Sequence, residues 1–265
     1  MEMLPGIETS RWRLLFRLAQ SETLVRFTSL IFRSQVARTM SVSVSGTNVV
    51  LWSPTPRIRS RNRTIATKEP LTIKWLSEMP AGSVLWDVGA NIGLYSVLAA
   101  KFGARVVAIE PSTFNVEALT RNISLNKVQE QITLVPLPIS HVGRKVSRLA
   151  LATMELGDSQ NLFHSLKRDT GAHLTPRTTY MIPGLPLDEL ANLFEIPRPT
   201  HLKIDVDGNE PEIIASAGRF FDSVYEILTE IPQYAGAAQS ISQKLSSDGF
   251  QLMTTSRRNQ LWVRR

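Results

Sequence analysis

The sequence contains no cysteine. That absence excludes disulfides, thiolate zinc sites, iron–sulfur clusters and a cysteine nucleophile, and it leaves the redox compartment undecided. Long apolar runs are missing too, since no segment approaches the roughly 18 consecutive apolar residues that suggest a membrane-spanning helix. The N-terminal arginines Arg11, Arg13 and Arg17 precede no apolar stretch of secretory type, so a soluble cytoplasmic protein is expected. Histidines number only four. No spacing among them selects a zinc site, and no metal ligand is singled out, although clustered carboxylates leave magnesium or calcium as an option. His201 opens a strand and reads as structural, whereas one of His141, His164 and His173 has the chemistry of a base near neutral pH.

What is present is ordinary globular composition: 265 residues, 43% hydrophobic and 20% charged, enough for one large domain or a domain with an extension. The formal charge of +7 permits anionic partners, but is read first as a solubility feature. Residues 10 to 33 show helical spacing, with Trp12, Leu15, Leu18 and Ala19 on one side. That side is expected to pack on the protein, with a membrane surface as the sharper alternative. Ser41 to Trp52 alternates and turns at Ser45-Gly46, as a hairpin does. The basic run Arg57 to Arg63 reads as an irregular connection, and Glu69 to Met79 as a helix with Pro70 in its first turn.

From Ser83 onward, strand and helix alternate. Strands are expected at residues 84–86, 104–110, 132–137, 201–208 and 223–231, with helices at 92–101, 114–125, 211–217 and 241–247 and a last hairpin around 256–259. Such alternation implies an α/β fold, a doubly wound parallel sheet covered on both faces. The organisation expected is an N-terminal extension over 1–80, packed on the rest or capping its crevice, and a domain over 81–265. Residues 140–199 interrupt the rhythm and read as an insertion carrying a lid or binding loop.

The stretch DVGANIG, Asp87 to Gly93, marks the turn from the first strand to the first helix, at the centre of the crevice where open α/β sheets bind ligands. Gly89 and Gly93 are expected to let the backbone approach a ligand closely. The spacing differs from the G-x-G-x-x-G of dinucleotide binders. Asp87 ahead of the first glycine would repel a pyrophosphate and attract an ammonium or sulfonium group. Glu110, ending the second strand, can accept both hydroxyls of a ribose. A positively charged nucleoside without pyrophosphate is S-adenosylmethionine; a generic tight turn is the plain alternative. For the chemistry, alternation along KIDVDG places Lys203, Asp205 and Asp207 on one face, with both aspartates near the crevice and Glu210 opening the next helix. These three acids are the candidates for general base or acceptor positioning. Helix capping and an ion pair to Lys203 are their structural readings.

With DVGANIGLYS (Asp87 to Ser96), AIEPSTFNVEALTRNISLN (Ala108 to Asn126), LDEL (Leu187 to Leu190), HLKIDVDGNE (His201 to Glu210), EI (Glu230-Ile231) and DGF (Asp248 to Phe250), the chain resembles the FkbM-type methyltransferases. The resemblance implies a class I, Rossmann-like methyltransferase fold, with a mainly parallel seven-stranded sheet and a C-terminal antiparallel strand. It implies S-adenosylmethionine contacts at Asp87, Gly89, Asn91, Gly93, Glu110 and Asn115, and O-methylation of a hydroxyl on a sugar, glycan or natural product. The other functions weighed are a nucleic-acid methyltransferase and a donor-binding module without turnover. Against nucleic acid, the DVDG turn lacks the Asn/Asp-Pro-Pro-aromatic sequence of enzymes that methylate exocyclic base nitrogens.

Overall fold

The computed structural model describes residues 38–264. The helix expected over residues 10 to 33 lies outside them. The described chain opens on a hairpin, in which β1 (Thr39–Val44) and β2 (Thr47–Trp52) pair antiparallel around Ser45 and Gly46. Both turn residues have positive φ, 46° and 77°, the twist that two-residue hairpins require. The run Arg57 to Arg63, expected to be irregular, is instead α1 (Pro56–Arg63). Three local features make it so: Thr55 caps the Ile58 amide at 3.3 Å, Pro56 occupies the first turn, and Ile58 and Asn62, four apart, share a buried face. The short α2 (Ile65–Lys68) and α3 (Pro70–Glu78) follow.

Strands and helices then alternate: β3 (Val84–Val88), α4 (Leu94–Lys101), β4 (Arg105–Ile109), α5 (Thr113–Asn126) and β5 (Ile132–Val135). Next come β6 (Lys145–Leu151), β7 (Asn161–Phe163), β8 (Thr178–Gly184), α6 (Leu187–Leu193), β9 (His201–Ile204) and α7 (Glu210–Ser216). After a 3-10 turn at Gly218–Ser223, β10 (Glu226–Glu230), α8 (Ala237–Ser247), β11 (Phe250–Ser256) and β12 (Asn259–Arg264) complete the chain. The main sheet has seven strands in the order β11-β12-β10-β9-β3-β4-β5. Strand β12 is antiparallel to both of its neighbours, and the pairs from β10 to β5 are parallel.

Alternate side chains of the sheet feed two cores. Leu85, Val106 and Ala108 pack with α4, α5, the hairpin and α1 to α3, whereas Trp86, Val107, Leu202 and Ile227 pack with α6 to α8. Two expectations are corrected here. Residues 140–199 are not irregular: β7-β6-β8 form a small antiparallel sheet, hidden in the sequence because β8 buries residues only partially on one face. Strand β9 ends at Ile204, so the alternation expected to carry Asp207 onto the face of Lys203 stops, and Asp207 turns into a left-handed conformation (φ 60°).

The hairpin joins neither sheet; it is held by two asparagines one turn apart on α5. Asn122 Oδ1 accepts the Trp52 amide at 2.7 Å and its Nδ2 donates to the Ile92 carbonyl at 2.7 Å. Asn126 exchanges both bonds with the Val50 backbone, at 2.9 and 2.7 Å. Each side-chain amide thus stands in for a strand neighbour at depth, where an unmade bond is expensive. Asn122→Ala is expected to destabilise the protein by about 2–4 kcal/mol in urea unfolding, since it strips both an acceptor and a donor from buried backbone.

Candidate active site

A cleft opens at the carboxyl ends of β3, β4 and β9, between the main sheet and a wall made by α1, α2 and the loop after β6. Its inner side carries Gly89, Asn91, Tyr95, Glu110, Asp205 and Asp207, and its outer wall Arg61, Lys68, Glu69 and Ser159. Of the residues singled out in the sequence, Asp87, Gly93, Asn115 and Glu210 are not on the cleft surface. They act from behind it.

The glycines answer to the protein before any ligand. At Gly89 (φ 88°) a Cβ would lie 1.9 Å from the Asp205 carbonyl oxygen, so the bend lets β3 pass the end of β9. At Gly93 (φ 78°), the N-cap of α4, a Cβ would meet Leu119 Cδ1 at 2.1 Å, so that glycine lets α4 pack on α5. Of the two, only Gly89 borders the cleft; Gly93, expected beside the ligand as well, lies behind the cleft surface.

Glu110 is the organising acid. The carboxylate accepts the Ser112 amide at 2.9 Å and Asn115 Nδ2 at 3.3 Å on Oε1, and the Asn91 amide at 2.8 Å on Oε2. Asn91 reaches this position in a left-handed conformation (φ 53°), which asparagine tolerates better than most residues. The loop after β6 is tied to the same hub. The Asp158 carbonyl accepts from Asn91, Asn115 and Asn161 at 2.9, 2.9 and 3.1 Å, and the Asp158 carboxylate pairs with Arg57 at 3.0 Å. Burial outweighs the three donors and pushes Glu110 up to about 7.

Asp87 has a cationic partner, but it comes from the protein. Lys203 Nζ lies 3.6 Å from Asp87 Oδ1 and 3.0 Å from Asp205 Oδ2, and Ser96 donates to Asp87 Oδ2 at 2.6 Å. With Asp87 only 1% exposed, the expected direct contact to a ligand is replaced by a buried bridge. Burial works against the charge on Lys203, yet Asp205 and Asp87 more than offset it and hold the ammonium protonated above its usual range. The same pairing overcomes burial at Asp205 and keeps its carboxyl below the usual range.

Around Asp205 the acids accumulate. Asp207 is pushed well above the carboxylate range by burial and by Asp205 and Glu210. Glu210 accepts the Val206 amide at 2.8 Å on Oε1, bracing the turn between β9 and α7, and burial raises it to about 8. Glu230, which sequence reasoning passed over as a site residue, ends β10 beside Asp205; burial first and then Asp205 raise it to about 8, against the Arg258 guanidinium 2.7 Å away. Its signal was positional, an acid ending the strand next to β9 much as Glu110 directly follows β4. Arg61, Asp158 and Ser159 were missed as well, because nothing local in their segments says which part of the sheet they cover. The histidines stand elsewhere. His201 is buried beside Thr200 and Trp75, His141 and His164 pair ring to ring at 5.8 Å, and no histidine borders the cleft.

This geometry meets an independent finding: the model of the methyltransferase FkbM domain matches residues 87–252. The chain belongs to the FkbM methyltransferase family. The matched span runs from the Asp87 bridge through Glu110 and the acidic turn to β11. One relative is the hexuronic acid methyltransferase AglP of Haloferax volcanii, 31% identical over 173 residues; the match covers 65% of this chain and 65% of that protein's length. Solved structures of similar shape include precorrin-6y C5,15-methyltransferase from Geobacter metallireducens, at 14% identity and TM-score 0.44, covering 74% of this chain and 87% of that one. Another is the 16S rRNA N2 G1207 methyltransferase RsmC of T. Thermophilus, at 14% identity and TM-score 0.45, covering 86% and 50%. Neither bears on the acceptor.

The raised carboxyl of Glu110 sets a direction for stability against pH. Below its ordinary value of 4.5 folded and unfolded chains both carry the proton, and from there to about 7 the folded chain alone keeps it. Stability contributed by this group is therefore full at low pH and is lost as pH rises through that window, by about 3 kcal/mol at the top. Urea unfolding of Glu110→Gln at a series of pH values is expected to show a shallower decline than the parent across this window.

Proposed function

We propose that this FkbM-family chain moves the methyl group of S-adenosylmethionine onto an oxygen of a sugar or glycan, in the cytoplasm. The observation that carries the reading is Glu110: a carboxylate at the tip of β4, clamped by three N–H donors, with Oε2 taking only one of them and the side chain bordering the cleft. That oxygen retains a lone pair for a ribose hydroxyl. Pro138 and Ile139 supply apolar wall beside it for a base, and the Gly89–Asn91 turn and Tyr95 continue the cleft toward Asp205. In this reading Asp87 and Asn115 serve the donor indirectly, the first through Lys203 and the second through Glu110. Gly93 serves by placing α4.

The bound donor supplies a methyl carbon made electrophilic by its sulfonium. What the chain must do is hold an acceptor oxygen in line behind that carbon, an arrangement that can supply about 7–11 kcal/mol. The new O–C bond forms as the S–C bond breaks, its electron pair returns to sulfur, and the hydroxyl proton leaves for a nearby base. Asp205 is committed to Lys203 and orients; Asp207, on the cleft wall beyond it, receives the proton in its ionised form, which burial and the neighbouring acids confine to pH above the usual carboxylate range. Glu210 holds the turn that carries both. The acceptor class follows from the AglP likeness and from charge, since Arg61 and Lys68 on the outer wall suit an acidic sugar such as a hexuronic acid.

S-adenosylmethionine at about 100 times its Kd is expected to stabilise the protein by about 2.7 kcal/mol in thermal unfolding, with most of that response lost in Glu110→Ala. Labelled methyl should pass to a hexuronate-containing oligosaccharide and not to RNA, and Asp207→Asn should slow transfer by about 10²–10⁴ with the donor response kept. Absence of any donor response, or transfer to RNA alone, overturns the reading.

A further inference from the structure

Beyond the donor cleft proper, the ends of β9 and β10 and the start of α7 bring three acids together. Asp205, Glu210 and Glu230 each offer a carboxylate oxygen, and the three oxygens lie within 4.8 Å of one another. Were all three ionised with no cation between them, charges at that separation would repel by about 3.5 kcal/mol per pair at an effective dielectric near 20. The neighbouring cations do not balance them. Lys203 is shared between Asp87 and Asp205, Arg258 between Asp169 and Glu230, and among the described residues no ion pair reaches Glu210.

Glu210 adds an independent sign. It is 1% exposed, its Oε1 takes the Val206 amide, and its Oε2 is buried with no hydrogen-bond partner. A buried carboxyl oxygen withdrawn from water and given no partner is a costly arrangement for a fold to keep. A cation seated among the three carboxylates would satisfy it.

We propose that Asp205, Glu210 and Glu230 form a binding site for a divalent cation of the magnesium class, reached from the cleft on the side of Asp205. The donor set selects the metal: three carboxylates with no imidazole or thiolate among them suit hard cations, magnesium, manganese or calcium, over zinc or copper. Lys203 takes Asp205 Oδ2, and Asp205 and Glu230 hydrogen-bond each other through a shared proton that a cation would replace. Three protein oxygens fill half an octahedron, and the rest is available to water and to oxygens of a bound acceptor. The sequence singled out no metal ligand, and the lack of cysteine and of spaced histidines spoke only against zinc; clustered carboxylates left magnesium or calcium open. Binding of the cation stands on the carboxylate geometry alone. Its service to an acceptor, drawing two sugar oxygens into one orientation and stabilising charge as the proton departs, rests on the methyl-transfer reading.

The test uses the full chain, freed of metal, and Mn²⁺ as the probe, with the free ion followed by electron paramagnetic resonance. One Mn²⁺ should bind per chain and be displaced by Mg²⁺ but not by K⁺. Glu210→Gln and Glu230→Gln, made separately, should each weaken binding at least about tenfold while keeping the thermal response to S-adenosylmethionine; if one fails to fold, the other decides. The proposal is overturned if the parent protein binds no Mn²⁺ at millimolar concentration, or if binding is undiminished in the variants that fold. Loss of the donor response with Mn²⁺ binding intact would instead strike the methyl-transfer reading and leave the metal site standing.

Discussion

A buried ammonium holds the centre of this molecule together. Lys203 on β9 sits between Asp87 on the adjacent strand β3 and Asp205 just past its own strand end. An isolated charge at that depth would be too expensive to keep, so the two carboxylates and the lysine must be present together. The bridge fixes the relative positions of the two strand ends that floor the cleft, which also explains why the chain at Gly89 can run against the Asp205 carbonyl. It divides the acids into two sets as well: Asp87 is consumed internally, and the surplus negative charge falls on the turn after β9.

The second constraint is that the cleft has no single parent segment. Glu110 is held by Asn91 from the first turn and Asn115 from α5; those asparagines grip the Asp158 carbonyl from the loop after β6, and Asp158 grips Arg57 from α1. Tyr95 hydrogen-bonds Glu69 ahead of α3 and lies with its ring 5.3 Å from Lys203. The N-terminal segment is thus built into the site as well as into the core. Its hairpin and helices share one hydrophobic cluster with α4 and α5. A sheet of this kind supplies a floor, and the specificity of the cleft comes from whatever the chain folds across it.

Legibility in the sequence followed the range of the interactions. The parallel strands read clearly because both of their faces are buried, and Glu110, Asp205 and Asp207 could be placed because each sits at or just beyond a strand end. Helix α1 was missed: its four arginines mask a narrow stripe of Ile58 and Asn62. The small sheet β7-β6-β8 was missed because its buried residues, Leu149, Leu151 and Phe163 among them, form only a thin cluster. Glu210 was rightly read at the start of a helix, but its burial, its orphaned oxygen and its meeting with Glu230 from far along the chain are tertiary facts.

By itself, then, the sequence determined the alternation of strand and helix, the parallel sheet it implies, the acid at the tip of β4 and the family. These are written in short-range periodicity and in residue types at strand ends. Only the tertiary structure decided that Asp87 faces a lysine, that the two glycines relieve contacts within the protein, and that three carboxylates from two strand ends and a helix start converge. Such outcomes depend on which distant segments meet, and on the electrostatic cost of burying their charges together, neither of which any local pattern encodes.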